Sequence, residues 1–473
     1  MKPTAMAALA IGALALAPLH AQQVPFARAN VTVSSKDRFY TSDQFSNTVS
    51  VIDPSTNTLL GVIKLGDQTP ANLSPLYKGQ LLVHGMGFSP DHKTLAVISI
   101  GSNSVTFIET ATNAVKHTSY VGRSPHEAFF RPDGREVWVS VRGEDYIAVL
   151  DGTTYKETGR VAVPNGPGMT IFSPDGKYGY VCSSFSPETV VIDVASKKIV
   201  GRVKQESPFC PDIAATPDGK QVWLTLKDVG RTMVFDARPP FRVLRTIDTG
   251  PITNHVNIVA TPHGQFAYVT VGSENMVKVF RTTDFTEVAT IQVGSLPHGL
   301  WPSGDGSRIY VGLENGDGVA AIDTARNKVI ATIPIGQGPQ GVAYVPGAVP
   351  SGAGRENLVP LAKADAKTEL ILHGTGNSQV TLFDQGQVQI LQAAVAGLAP
   401  KMHYVLGLST HADGSGPVQS LAKFTTSPSG SAIVNAVGPL RQLVAAPAAD
   451  ERRYLVIAAG DPDSIGAVAQ VQR

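Results

Sequence analysis

Short apolar runs recur along this chain at a nearly fixed interval. They read LAVIS from Leu95, VWVSV from Val137, GYVCS from Gly179, VWLTL from Val222, AYVTV from Ala267 and IYVGL from Ile309. Each follows a tight-turn signature: Ser89-Pro90-Asp91-His92, Arg131-Pro132-Asp133-Gly134, Ser173-Pro174-Asp175-Gly176, Thr216-Pro217-Asp218-Gly219, Thr261-Pro262-His263-Gly264 and the degenerate Ser303-Gly304-Asp305-Gly306. From Pro90 through Pro132, Pro174, Pro217 and Pro262 to Gly304 the steps are 42, 42, 43, 45 and 42 residues. After each run come a polar turn, an alternating segment that mostly ends in an acid (SVTFIE, YIAVLD, TVVIDV, RTMVFD, GVAAID) and a fourth β-rich run such as KVIATIPIG. Proline presets φ, glycine supplies positive φ, and β-branched or aromatic residues suit a pleated surface. Four short antiparallel strands per repeat make a propeller blade. One more unit, Arg38 to Gly66, brings the number to seven between about Val31 and Pro346. Gln340 to Pro346 starts another unit and stops, as expected of a strand that closes the ring by completing the first blade; Val31 to Val33 competes for the same slot. Closure removes sheet edges that would recruit other chains.

Beyond Pro346 the pattern breaks. Residues 347–366 form a Gly/Pro/Ala-rich linker, and 367–473 carry short strands at the spacing of a small β-sandwich, an Ig-like domain. The expected organisation is all-β: a signal peptide over 1–21, a seven-bladed propeller over 22–346, the linker, and the sandwich. The first residues place Lys2 ahead of an apolar stretch from Ala5 to Ala17, shorter than the ~18 residues a membrane helix needs, with the small residue Ala21 at the expected cut. The mature chain is therefore expected to be exported, periplasmic or extracellular, with no integral membrane segment.

Composition narrows the partners. Lys and Arg total 39 against 38 Asp and Glu, with no basic run, which argues against nucleic acid. Gly at 46 and Pro at 33 of 473 residues exceed the usual ~7% and ~5%, in keeping with a turn-dense fold. The only cysteines, Cys182 and Cys210, fall on adjacent blades at the same end; whether they pair is open at this level.

The repeated Ser-Pro-Asp-Gly-like turns and the literal Tyr268-Val269-Thr270 resemble the YVTN-repeat seven-bladed propeller family over about two thirds of the chain. Similar propellers serve as surface-layer repeats, as lactonases and as the propeller domains of nitrite reductase, nitrous oxide reductase and methylamine dehydrogenase. The resemblance therefore implies a fold and leaves the chemistry unassigned.

Candidate chemistry collects at one end of the channel. Counting back from the turn markers puts His84, His126, Cys210, His255 and His298 at one level, with Gly168 and Gln340 at the other two positions. Imidazole and thiolate suit a transition metal, for which His84, His126, His255 and His298 are the candidate ligands. The alternative is structural: such histidines can hydrogen-bond a neighbouring blade's backbone, and a wide mouth would hold those of non-adjacent blades too far apart to share an ion. Strand starts and adjoining loops add Glu127, Arg142, Asp212, Lys227 and Asn257 as ligand-contacting candidates, with Arg123, Glu144, Asp145, Arg231 and Asn254 nearby. The acids Asp53, Asp151, Asp193, Asp236 and Asp323 that end the third strands read as turn caps. No haem-attachment motif, nucleophile elbow, phosphate loop or His-Glu-x-x-His is present. The expectation is a non-catalytic exported propeller that binds a small molecule or protein partner at the channel mouth. Two alternatives stand beside it, a metal- or redox-linked propeller using the His/Cys ring and a lactonase-like hydrolase.

Overall fold

The structure is a computed structural model that describes residues 32–66, 81–362, 367–385, 388–448 and 450–473. The expected signal peptide lies outside the described residues.

Seven four-stranded antiparallel sheets form the propeller. Blade two shows the common plan, with strands Val83–Phe88, Thr94–Ser99, Ser104–Glu109 and Val115–Tyr120 running from the channel outward. The first two strands are wholly buried, whereas the fourth is mostly exposed. This gradient accounts for the sequence pattern, because only the inner strands can afford a continuous apolar run. Blade one closes the ring as the repeat implies. Pro339–Val345 pairs with Arg38–Asp43, which pairs in turn with Thr48–Asp53 and Thr58–Lys64.

The turn chemistry follows its residues. Ser89, Ser173, Thr216 and Ser303 hydroxyls donate to the acid two positions on, at 2.5–2.7 Å. Gly134, Gly176, Gly219 and Gly306 take φ of 65–72° in those turns, and His92 takes 63° at the glycine position of its own. The recurrent acids do cap turns: Asp151 and Asp193, for example, accept backbone N–H groups two or three residues on at 2.6–3.0 Å.

Second-strand tyrosines tie blades together. Tyr40 of blade one donates to Thr110 O of blade two, Tyr180 of blade four to Ala237 O of blade five, and Tyr310 of blade seven to Pro54 O of blade one. Their rings are fully buried, so each hydroxyl needs such a partner.

Residues 348–359 run along the outside of blades one and two. Asn113 Nδ2 donates to the Gly354 and Glu356 carbonyls, and Val359 forms a bridge with Val62. The second domain begins with Thr368–Gly374 and is a single eight-stranded antiparallel sheet. The sheet is rolled around its own apolar core, and its edge strands Val418–Thr425 and Ala432–Gly438 approach each other, so it is nearly closed. This gives the facing layers of a sandwich with a continuous strand order.

The domain docks over one end of the propeller. Phe45 packs on Phe383 with centroids 4.9 Å apart, Ser295 Oγ donates to Gln379 Oε1 at 2.8 Å, and Ile252 and Leu296 form an apolar cluster with Ala394 and Ile433. The covered end is the one where the inner strands begin.

Candidate functional site

Two repeat positions build the site. The first lies at the start of each inner strand and carries His84, His126, Gly168, Cys210, His255, His298 and Gln340 in blades two to seven and one. The second lies just past the second strand and carries Arg142, Ser184, Lys227 and Glu314 in blades three, four, five and seven. Because each blade repeats the same backbone path, both sets converge on the channel mouth. The docked domain roofs them with residues 427–435, leaving a sheltered cavity of about 400 Å³.

The four histidines are brought together, and all are buried. Ring centroids are 4.3 Å apart for His84 and His126 and 4.4 Å for His255 and His298; His84 and His298, on non-adjacent blades, stand 6.5 Å apart. The four do not gather into one ligand set, however: among the described residues the group of three or more donors whose ligand atoms all lie within 4.8 Å of one another is His84, His126 and Glu127.

The expected inter-blade hydrogen bonds are also present. His126 Nδ1 donates to the Gly168 carbonyl at 3.0 Å and His298 Nδ1 to the Gln340 carbonyl at 3.2 Å, each reaching the next blade. A carbonyl can only accept, so these bonds place the proton on Nδ1 and leave Nε2 with its lone pair. His255 Nδ1 stands 3.4 Å from Asp212 Oδ2, and its Nε2 is buried without a partner. Structural tethering and ligand presentation are therefore compatible, because they use opposite nitrogens of one ring. Burial, together with the nearby Arg142 and Lys227 charges, pushes the His84 imidazolium down to about 3; burial likewise brings His255 to about 3 and holds His126 and His298 well below the ordinary value. All four rings are neutral at pH 7.

Below the histidines lies a carboxylate layer. Glu127 and Asp212 are both buried, and Asp212 Oδ2 accepts the Val256 N–H at 2.9 Å. Burial raises Asp212 to about 8; burial and the Asp212 charge hold Glu127 well above the usual carboxylate range. Asn257 is spent on structure, donating to Leu300 O while its Oδ1 accepts the Ile258 N–H. Asn254 likewise donates to Pro297 O.

Arg142 and Lys227 line the upper wall. The Arg142 guanidinium lies over the Phe185 and Phe209 rings at 5.6 and 5.5 Å, and Lys227 Nζ lies 5.8 Å from the Phe209 centroid. Neither cation has a carboxylate within ion-pair distance among the described residues. Burial lowers the pKa of both.

Cys210 requires a correction. It sits at the predicted level, but its sulfur is bonded to Cys182, with Cα atoms 6.0 Å apart, so no thiolate is available to a ligand. Arg123, Glu144 and Arg231 also fall outside the cavity. Arg123 pairs with Glu144 at 2.8 Å on the rim, and Arg231 pairs with Glu206 and Asp248 on the blade's outer side. Asp145 is exposed.

Glu314 escaped the sequence reading, although it follows its second strand as Arg142 and Lys227 follow theirs. Its carboxylate stands 3.9 Å from His298 Nε2, and burial raises its pKa. The roof segment at 427–435 has no periodic signature that could have foretold its position.

Comparison with solved structures finds similar chains. Hydrazine synthase of Kuenenia stuttgartiensis aligns at 22% identity over 56% of this chain and 90% of that one, with a TM-score of 0.50. A functionally unknown protein from Desulfotomaculum acetoxidans aligns at 14% identity over 65% and 98%, with a TM-score of 0.55. The dihydro-heme d1 dehydrogenase NirN aligns at 11% identity over 86% and 78%, with a TM-score of 0.48. No curated protein matches the sequence. The family model described as YNCE-like beta-propeller matches residues 4–349, and with the seven blades in place the chain belongs to that family.

Proposed function

We propose that this is an exported binding propeller whose roofed cavity receives a small molecule bearing a carboxylate or comparable anionic group. The observation that carries the reading is the pair of cations on the cavity wall, Arg142 and Lys227, neither of which has an ion-pair partner among the described residues. A desolvated cation without a partner is costly, and an incoming anion offsets that cost. The Arg142 guanidinium lies over two aromatic rings, and its planar fork suits two-point contact with a carboxylate. The cavity volume falls within the ~300–1,000 Å³ of small-molecule sites. Ser427, Ser431 and Asn435 on the roof supply neutral hydrogen-bonding groups for the rest of the molecule. Export is supported by the leader-like first 21 residues and by the Cys182–Cys210 disulfide, a bond that persists in oxidising compartments.

The test is thermal denaturation and calorimetry of the full chain against a panel of small mono- and dicarboxylates, with their amides as neutral controls. At least one acid should raise the melting temperature where its amide does not, and Arg142→Gln with Lys227→Gln should weaken it by about tenfold or more, one charge-assisted contact being worth ~1.5–3 kcal/mol. Equal binding of acids and amides, or no shift with any acid, overturns the reading.

A further inference from the structure

We infer that His84, His126 and Glu127 form an open site for one divalent first-row transition-metal ion, of the zinc or copper kind, on the floor of the roofed cavity. Metal binding here does not depend on the anion reading, which rests on Arg142 and Lys227.

Geometry comes first. One ligand atom from each of the three side chains lies within 4.8 Å of the other two, and all three residues are buried. Tetrahedral donors about an ion with bonds of ~2.0–2.2 Å stand roughly 3.3–3.6 Å apart, so rotations of the side chains close the remaining gap. The backbone is shaped for the approach. A Cβ at Gly85 would lie 2.2 Å from Glu127 Oε2, so a residue without a side chain next to His84 is what lets the carboxylate lie there.

The hydrogen bonding points the same way. Metal-bound histidines characteristically donate their other ring N–H to a carbonyl or carboxylate, which fixes the tautomer. His126 does this through Gly168 O and so offers Nε2. His84 shares a hydrogen bond with the His126 backbone on the next blade in the same way, and across the cavity His255 Nε2 is buried with no hydrogen-bond partner, an expensive state for a polar atom unless something occupies the space it faces.

Charge supplies a third, separate argument. Glu127 and Asp212 are neighbouring carboxyl groups in a closed channel, and among the described residues no Lys or Arg lies within ion-pair distance of either. Two such groups are costly as charges, and a divalent ion beside Glu127 would displace its proton and hold that carboxyl in the ionised, ligating form. Two imidazoles with one carboxylate favour zinc, copper, nickel or iron over magnesium or calcium, which prefer all-oxygen shells. Three protein ligands leave a further position open toward the cavity.

The experiment uses the full chain, stripped with chelator and titrated with Zn²⁺, Co²⁺ and Cu²⁺, with Mg²⁺ as control. One equivalent of Zn²⁺ or Co²⁺ should bind at least 100-fold more tightly than Mg²⁺, Co²⁺ should give visible ligand-field absorption, and Glu127→Gln and His126→Asn should each weaken binding by at least about 10–100-fold. Circular dichroism establishes that the variants are folded. Should they unfold, the Cu²⁺ electron paramagnetic resonance spectrum of the unaltered chain decides, since coupling to imidazole nitrogen is required. Sub-stoichiometric metal, unaltered affinity in both folded variants, or a copper spectrum without nitrogen coupling overturns the site. Loss of carboxylate binding with metal loading intact would remove the anion reading alone.

Discussion

Two seams of the ring join neighbouring blades by different means. Between blades four and five the tie is covalent: Gly168 has no side chain to reach across, and Cys182 of blade four is bonded to Cys210 of blade five. Between blades seven and one, where the ring closes, the ties are polar. His298 donates to Gln340 O, Tyr310 donates to Pro54 O, and the Gly336 and Gln337 N–H groups donate to Ser50 Oγ and Ser46 Oγ, while within blade one Asp43 accepts the hydroxyls of Thr41, Thr48 and Ser50 at 2.7–2.9 Å. Next to this seam blade one is itself completed by a strand pair, Pro339–Val345 on Arg38–Asp43. The contrast teaches that a lateral link recurs from blade to blade while its chemistry is interchangeable.

The largest effect should come from the covalent seam. A disulfide closing a loop of this length contributes about 3–4 kcal/mol through the entropy of the unfolded chain. Cys182→Ala with Cys210→Ala should therefore lose that amount in urea unfolding followed by tryptophan fluorescence. A loss under about 1 kcal/mol would mean that packing holds this seam as it holds the others, and the comparison would fail.

The closing seam should instead respond to pH. Burial raises Asp43 from 3.8 to about 7 despite its three hydroxyl donors, and Asp317 is the nearby acid that shares its field. The folded state then keeps a proton that the unfolded chain has already released. Stability is greatest below the unfolded value, falls as pH rises from about 4 to about 7, and is level above. One unpaired proton is worth ~1.4 kcal/mol per pH unit in that window, so between pH 5 and pH 7 the loss should be about 2–2.5 kcal/mol. Asp43→Asn should remove that part of the slope, leaving what other buried acids contribute. Parallel pH profiles for the two proteins would show that Asp43 is not the group responsible.

Much of this was legible because a repeat prints one backbone path seven times. The steps between turn markers locate the strands and the level of His84, His126, His255 and His298; they offered two segments for closing the ring, Gln340 to Pro346 and Val31 to Val33, and the pairing of Pro339–Val345 with Arg38–Asp43 decides between them. The same steps would have yielded Glu314, had the position after the second strand been followed through every blade. What stayed hidden depends on distances between blades or domains. Whether Cys182 could reach Cys210 turned on a Cα separation no spacing reveals, and the roof over the cavity comes from a non-repeating segment. Glu127 and Asp212, by contrast, share one register, each five residues ahead of its turn proline and next to the residues that pair with Val139 and Leu224, so that layer lay within reach of the repeat even though the inner strand of blade five is cut to Ile213–Ala215.

The smallest effect tests the tyrosine ties. Tyr310→Phe keeps the ring stacked on Phe39 at 4.8 Å and removes only the hydroxyl. Pro54 O retains Arg308 Nη1 as a second donor, so the cost at the closing seam should be about 0.5–1 kcal/mol. Tyr180→Phe at the covalent seam strips Ala237 O of the hydroxyl that approaches it at 2.6 Å, and it should cost somewhat more, about 1–1.5 kcal/mol. The informative quantity is the second substitution made in the cysteine-free background. If the disulfide and the tyrosine brace one seam jointly, the combined loss differs from the sum by at least ~0.5 kcal/mol; strict additivity would make them independent fastenings and reduce the seam to a coincidence of position.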